Sequence, residues 1–266
     1  MKIHPTAIVD PAAELAEGVE VQAYSIIGPH VIIGADSVVG PHCVIEGRTE
    51  IGERNRFSSS ANIGVLSQDL KHNLDFVGRT VIGDDNHFRE FTTVNASTVT
   101  SKEDEDKATV VGSGSLFMVS SHVGHECNVG DNVVMANCVA LGGHATIEDN
   151  VILGGLSAVH QFCSVGTLAI VGGGTMVRKD VPPYFIVEGY PDSCRGPNTI
   201  GLQRAGISKE AQRVIRSVYK ILYLSSLNTE QALERIEAEV PDCSERGRIV
   251  EFVRRSKRGI AQARRR

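Results

Sequence analysis

Four histidines fall between residues 122 and 160: His122, His125, His144 and His160. Imidazole is the side chain that titrates nearest neutrality, so it can take a hydroxyl proton near pH 7. A hydroxyl relieved of its proton as it attacks a thioester carbonyl gives acyl transfer. The pair Gly142-Gly143 precedes His144. A backbone N–H there, that of Gly143, could hold the oxyanion, and the missing side chain leaves room for substrate. Three imidazoles on one centre would instead suit zinc, as in carbonic-anhydrase-type sites. The residue types alone leave both chemistries open.

Whether these residues meet depends on the elements beneath them. Every sixth residue from Ile3 is apolar, through Val9, Leu15, Val21 and onward to Ile63. The register breaks after Gly64, resumes at Ile82, Phe88 and Val94, breaks again, and then runs from Val111 to Val177 without a slip. A period of six fits neither an amphipathic helix nor simple strand alternation. It fits a triangular coil of three hexads, each a short strand and a turn, with the aliphatic residue inward. Gly often follows that residue, as at Gly28, Gly34, Gly40 and Gly52, and is read as easing the tight corner. Stacked coils put positions eighteen apart above one another. His125, Gly143 and Gln161 then form one column, with His144 and His160 each one position away.

The breaks, at about 65–79 and 95–108, should loop out from a corner. The second, with Lys102-Glu103-Asp104-Glu105-Asp106-Lys107, reads as a solvated loop without a direct catalytic role. The hexads stop at Asp180-Val181-Pro182-Pro183, where prolines cannot donate to a ladder. This divides the chain into a prism, 1–184, and a linker with helices, 185–266. Ser208 caps a helix with Ile215, Val218, Tyr219 and Leu222 on one face. Asn228 and Gln231 resemble a capping box before a second helix. A third runs near Ile249, Val250 and Val253. The helices should cover the strand edge at the prism's end.

Hydrophobic residues make up 41% and charged residues 22% of the chain, the balance of a soluble globular protein. The N-terminus lacks the apolar stretch of a signal peptide, and no segment approaches a membrane span. The six cysteines show no CxxC pair, which fits reduced packing residues in the cytoplasm. The net charge is −5, yet residues 244–266 hold nine Lys or Arg against two Glu. The overall charge offers no basis for a nucleic-acid partner.

The hexads resemble the hexapeptide-repeat transferase superfamily, whose left-handed parallel β-helices assemble as homotrimers with sites between prisms. The resemblance narrows with particular motifs. Ser121-His122-Val123-Gly124-His125-Glu126-Cys127 is similar to the HxxH(D/E)C signature of the UDP-N-acetylglucosamine acyltransferase family of lipid A biosynthesis. So are Gly142-Gly143-His144, Ala158-Val159-His160-Gln161-Phe162-Cys163, Asp180-Val181-Pro182-Pro183-Tyr184, Gln68-Asp69-Leu70-Lys71 and Gly201-Leu202-Gln203-Arg204. The likeness spans essentially the whole chain.

It implies transfer of a β-hydroxyacyl group from acyl carrier protein to the 3-position of the sugar in UDP-N-acetylglucosamine. An amide results if the acceptor carries a 3-amine. The enzyme itself needs no cofactor or metal, since the donor carries phosphopantetheine. By the same likeness His125 is the general base and Gly143 the oxyanion donor. Asp69 and His144 belong to the sugar pocket, beside Gln68, His122, His160 and Gln161. Lys71, Asn198 and Arg204 lie near donor or nucleotide, and Gly173 limits acyl-chain length. The basic C-terminal end would face the acidic carrier protein. The chain departs from the family in having Glu126 where Asp is usual, Asn95-Ala96-Ser97-Thr98 where HRGT is common, and Ile200 and Ala205 where charges are common.

Overall fold

The computed structural model describes residues 1–263. Arg264, Arg265 and Arg266 of the basic end lie outside the described residues.

Strands of mostly two residues stack into three parallel faces. The first begins with Lys2–Ile3, the second with Ile8–Val9 and the third with Glu14–Leu15. Pairing is regular: Lys2 lies beside Glu20, and His122 beside Ala140, which lies beside Ala158. Hydrogen-bonded partners in the small-residue rows are 18 residues apart in plain coils, 31 across the first loop and 29 across the second. The loops therefore add length without shifting the ladder. The strands that flank them are Asn62–Val65 with Arg79–Ile82, and Thr93–Asn95 with Ala108–Val111.

The hexad's inward residues make the core. Ile27, Ile45, Ile63, Leu141 and Ile147 are fully buried, each worth about 1.5–3 kcal/mol of transfer free energy. On the first face three successive inward residues are aromatic. The rings of Phe57 and Phe88 stack at 5.0 Å, and those of Phe88 and Phe117 at 4.6 Å. The small-residue position carries its own ladder of hydrogen bonds. Asn55 Oδ1 accepts from Asn86 N at 3.0 Å, and Asn86 Oδ1 accepts from Ser115 N at 2.9 Å.

The repeat glycines have a different reason from the one expected. Gly34 and Gly40 do not have positive φ; a Cβ on either would sit 2.5 Å from the backbone of the next coil. They permit close stacking. The left-handed corner conformation falls two residues later, on Asp36, His42 and Arg54, at about 1–2 kcal/mol for a residue with a Cβ.

The prism's end also differs in detail. Parallel pairing continues past Pro182 and Pro183: Phe185–Glu188 joins the first face beside Ile170 and Val171. Ser193–Pro197 then returns antiparallel. Four helices follow among the described residues: α1 (Thr199–Arg204), α2 (Lys209–Leu224), α3 (Thr229–Glu239) and α4 (Ser244–Arg255). Ser208 caps α2, and Asn228 with Gln231 forms the capping box of α3. The short α1 falls where only a linker was expected. Asp180 fastens this region to the prism: Oδ1 accepts from Ser164 N at 2.8 Å and Oδ2 from Ser256 Oγ at 2.6 Å. No helix among the described residues is long and apolar enough to cross a membrane.

Candidate active site

The chemistry gathers on the corner between the second and third faces. His125 follows the strand His122–Val123, Gly143 follows Ala140–Leu141 and Gln161 follows Ala158–Val159. The column read from the coil period is present: His144 N donates to His125 O at 2.9 Å, and Phe162 N to Gly143 O at 3.2 Å. Glu126, His144 and Phe162 occupy the left-handed position of this corner, with φ of 50°, 60° and 65°. That conformation throws their side chains outward from the tight turn.

His125 Nδ1 is hydrogen-bonded to Glu126 Oε2. Their side chains are only 15% and 9% exposed. Glu126 Oε1 accepts from Thr98 N at 2.5 Å, and Glu126 N donates to Thr109 Oγ1 at 2.9 Å. A carboxylate accepts, so in the neutral imidazole this bond places the proton on Nδ1 and makes Nε2 the acceptor. Nε2 faces Gly143, where a Cβ would approach to 2.4 Å. The Gly143 N–H has no acceptor among the described residues.

His144 meets His125 edge-on at 5.3 Å and stacks on Phe162 at 4.6 Å. Its Nε2 lies 3.7 Å from Glu126 Oε2. Asp69 approaches from the first loop. The Lys71 N–H bonded to Asp69 Oδ1 at 2.9 Å holds that carboxyl below its usual range, with help from His125, Lys71 and His144. Gln68 and Lys71 are exposed on the same loop. His122 turns to Thr93, Nδ1 to Oγ1 at 2.7 Å; burial, then the neighbouring His125, pushes its pKa down. His160 and Gln161 are exposed at the corner's far side, with His160 Nδ1 against Gln161 O at 3.1 Å.

The zinc alternative places its three histidines between subunits, and the described residues of one chain do not by themselves bring three histidines together. His125 and His144 converge with Glu126, while His122 and His160 are engaged elsewhere. The second loop also departs from expectation. Lys102–Lys107 is mostly exposed, but its approach from Asn95 to Val99 is buried and Thr98 reaches Glu126. Thr98, Thr109 and Phe162 were not singled out from sequence as site residues. The left-handed corner at Phe162 is periodic, and could have been found by counting.

A protein from Syntrophobacter fumaroxidans described as acyl-[acyl-carrier-protein]–UDP-N-acetylglucosamine O-acyltransferase is 46% identical over 98% of this chain and 99% of its own. The chain belongs to the UDP-N-acetylglucosamine O-acyltransferase family. A solved acyltransferase from Moraxella catarrhalis superposes with a TM-score of 0.93 at 36% identity, covering 98% of this chain and 100% of that one. One from Francisella novicida gives 0.93 at 34% identity, covering 98% and 94%. The sequence profile of UDP-N-acetylglucosamine O-acyltransferase, domain 2, matches residues 180–261. The parallel β-helix expected from the hexads, left-handed by the resemblance, and its C-terminal helices are the family's fold.

Three of the acyltransferase's expected site residues stand apart from His125 within one chain. Gly173 stacks on Gly155 at the corner between first and second faces, where a Cβ on Gly173 would lie 3.2 Å from the Gly155 carbonyl oxygen. Arg204 is exposed beside the outward residues Ile170 and Ile186 of the first face. Asn198 caps α1: its Oδ1 accepts from Gly201 N at 3.0 Å and its Nδ2 donates to Leu168 O at 2.9 Å. Each bond takes one of the amide's two donor or two acceptor sites and leaves the other.

Proposed function

We propose that His125 is the general base of acyl transfer from acyl carrier protein to the 3-hydroxyl of the sugar in UDP-N-acetylglucosamine. The observation that carries this is the placement of His125, its Nδ1 bonded to Glu126 and its Nε2 against Gly143, whose N–H has no acceptor among the described residues. Nε2 takes the hydroxyl proton as the sugar oxygen bonds to the thioester carbon. The carbonyl oxygen gains the electron pair and accepts the Gly143 N–H. Collapse of that oxyanion breaks the carbon–sulfur bond, and the phosphopantetheine thiol leaves with the proton from His125. Glu126 stabilises the transient imidazolium.

Asp69 and His144 seat the sugar, with Gln68, His122, His160 and Gln161 around them. Gly173, Arg204, Lys71 and Asn198 serve the donor and nucleotide across a homotrimer, whose neighbouring prism brings another corner to His125. Several C-terminal arginines are already paired: Arg246 with Asp242, Arg254 with Glu237 and Arg255 with Glu148. The carrier protein's acidic face would therefore meet Lys257 and Arg258, which are exposed and have no ion pair among the described residues. The reaction belongs to the cytoplasm, where acyl carrier protein is found.

Mass spectrometry after incubation with UDP-N-acetylglucosamine and β-hydroxyacyl carrier proteins should find a monoacylated UDP-sugar. His125→Ala should lose at least about 10²-fold in turnover; a variant as active as the parent would remove His125 as base.

A further inference from the structure

The two loops enter the His125 corner from successive coils and meet through buried hydroxyls. Ser67 Oγ and Thr98 Oγ1 lie 2.6 Å apart, at 7% and 8% exposure. Each residue leads to a different part of the site. Ser67 Oγ accepts from Asp69 N at 3.2 Å. Thr98 N donates to Glu126 Oε1, whose other oxygen holds His125. The backbones around the pair are fixed to one another. Ala96 N donates to Val65 O and Asn73 N to Val99 O, both at 2.8 Å, and Asn95 Nδ2 donates to Leu66 O at 3.0 Å.

We propose that Ser67 and Thr98 are positioning residues that clamp Asp69 and Glu126 into one unit. Neither touches reacting atoms. A hydroxyl donates once and accepts twice, so Ser67 can hold the Asp69 N–H and Thr98 together. Moving one loop then moves both the sugar's carboxylate and the base's carboxylate. The clamp rests on the reading of His125 as base and of Asp69 as a sugar ligand. It adds that acceptor seating and base orientation are set by a shared bond.

Thr98→Val keeps the side-chain shape and the backbone N–H but removes the hydroxyl; Ser67→Ala removes its partner. Each should raise KM for the UDP-sugar and lower kcat, by roughly three- to tenfold, the scale of one buried hydrogen bond. The double variant should be no worse than Ser67→Ala, which already removes the bond to Thr98 together with the acceptor of the Asp69 N–H. Thr98→Ser should restore parental behaviour. Calorimetry with UDP-N-acetylglucosamine and no acyl donor should find Kd raised by a similar factor. Parental Kd and kcat in both single variants, or losses that multiply in the double, would overturn the clamp. His125→Ala is assayed alongside. Turnover surviving there defeats the base assignment alone, since the calorimetric arm needs no base.

Discussion

Gly143 sits under the imidazole of His125 with no room for another atom: a Cβ there would be 2.4 Å from both Nε2 and Cε1. The backbone at 143 is not left-handed, so alanine brings no strain of its own. Gly143→Ala should push the ring off its bond to Glu126 while leaving the ladder intact. A displacement of about 1 Å costs on the order of 10² in rate. Steady-state kinetics with an unchanged Tm would support this; a variant with parental kcat would show that the ring need not be where the structure holds it.

Glu126 holds His125 and Thr98 with the two oxygens of one carboxylate. Glu126→Asp, one methylene shorter, should keep only one of the two bonds and lose roughly tenfold in kcat. Glu126→Gln should lose about 10²-fold or more, because an amide can present an N–H to His125 and favour the wrong tautomer. Equal rates for Asp and Gln would mean that the charge is idle.

His122 gives the protein a pH dependence of stability. Burial, then the proximity of His125, lowers its folded pKa, so the unfolded chain binds more protons. Stability is then retained above the ordinary histidine range and is lost as pH falls through that range toward the lowered folded value. His87, also lowered chiefly by burial, adds a slope of the same sign. Denaturant titrations across that range should find a shallower decline in His122→Gln; an unchanged slope would remove His122 as a contributor.

Phe88 is held between Phe57 and Phe117. Phe88→Ala opens a cavity inside the stack and should cost about 3–5 kcal/mol. Specific activity per folded molecule should persist, because the aromatic stack is interior to the first face and the His125 corner is not. A loss under about 1 kcal/mol would mean that the neighbouring coils collapse onto the gap.

Much of this was legible from residue order because the fold is periodic. Counting by six identified Ile27, Ile45 and Leu141 as inward, and counting by eighteen placed Gly143 against His125. Local chemistry identified Ser208 and Asn228 as caps. What escaped was aperiodic. Thr98 reaches Glu126 only because two inserted loops fold against each other, and no spacing encodes a loop's path. The alternating charges of 102–107 masked the buried approach before them. The repeat glycines were legible as a pattern but not in cause, since close stacking and positive φ both select Gly.

The ladder pairs each coil only with the one before and the one after, and it ends differently at its two extremities. Ile3 is 41% exposed in a first coil with one neighbour, whereas Asp180 ties the last coil to the helices through Ser256. Under load applied at the N-terminus, such a prism should come apart as a spool does, one turn at a time from the free rim. Single-molecule extension would then rise in a staircase, with the turn bearing His125 released late. Damage to the first turns would travel inward by steps, leaving the catalytic corner intact in a molecule that has already begun to unwind.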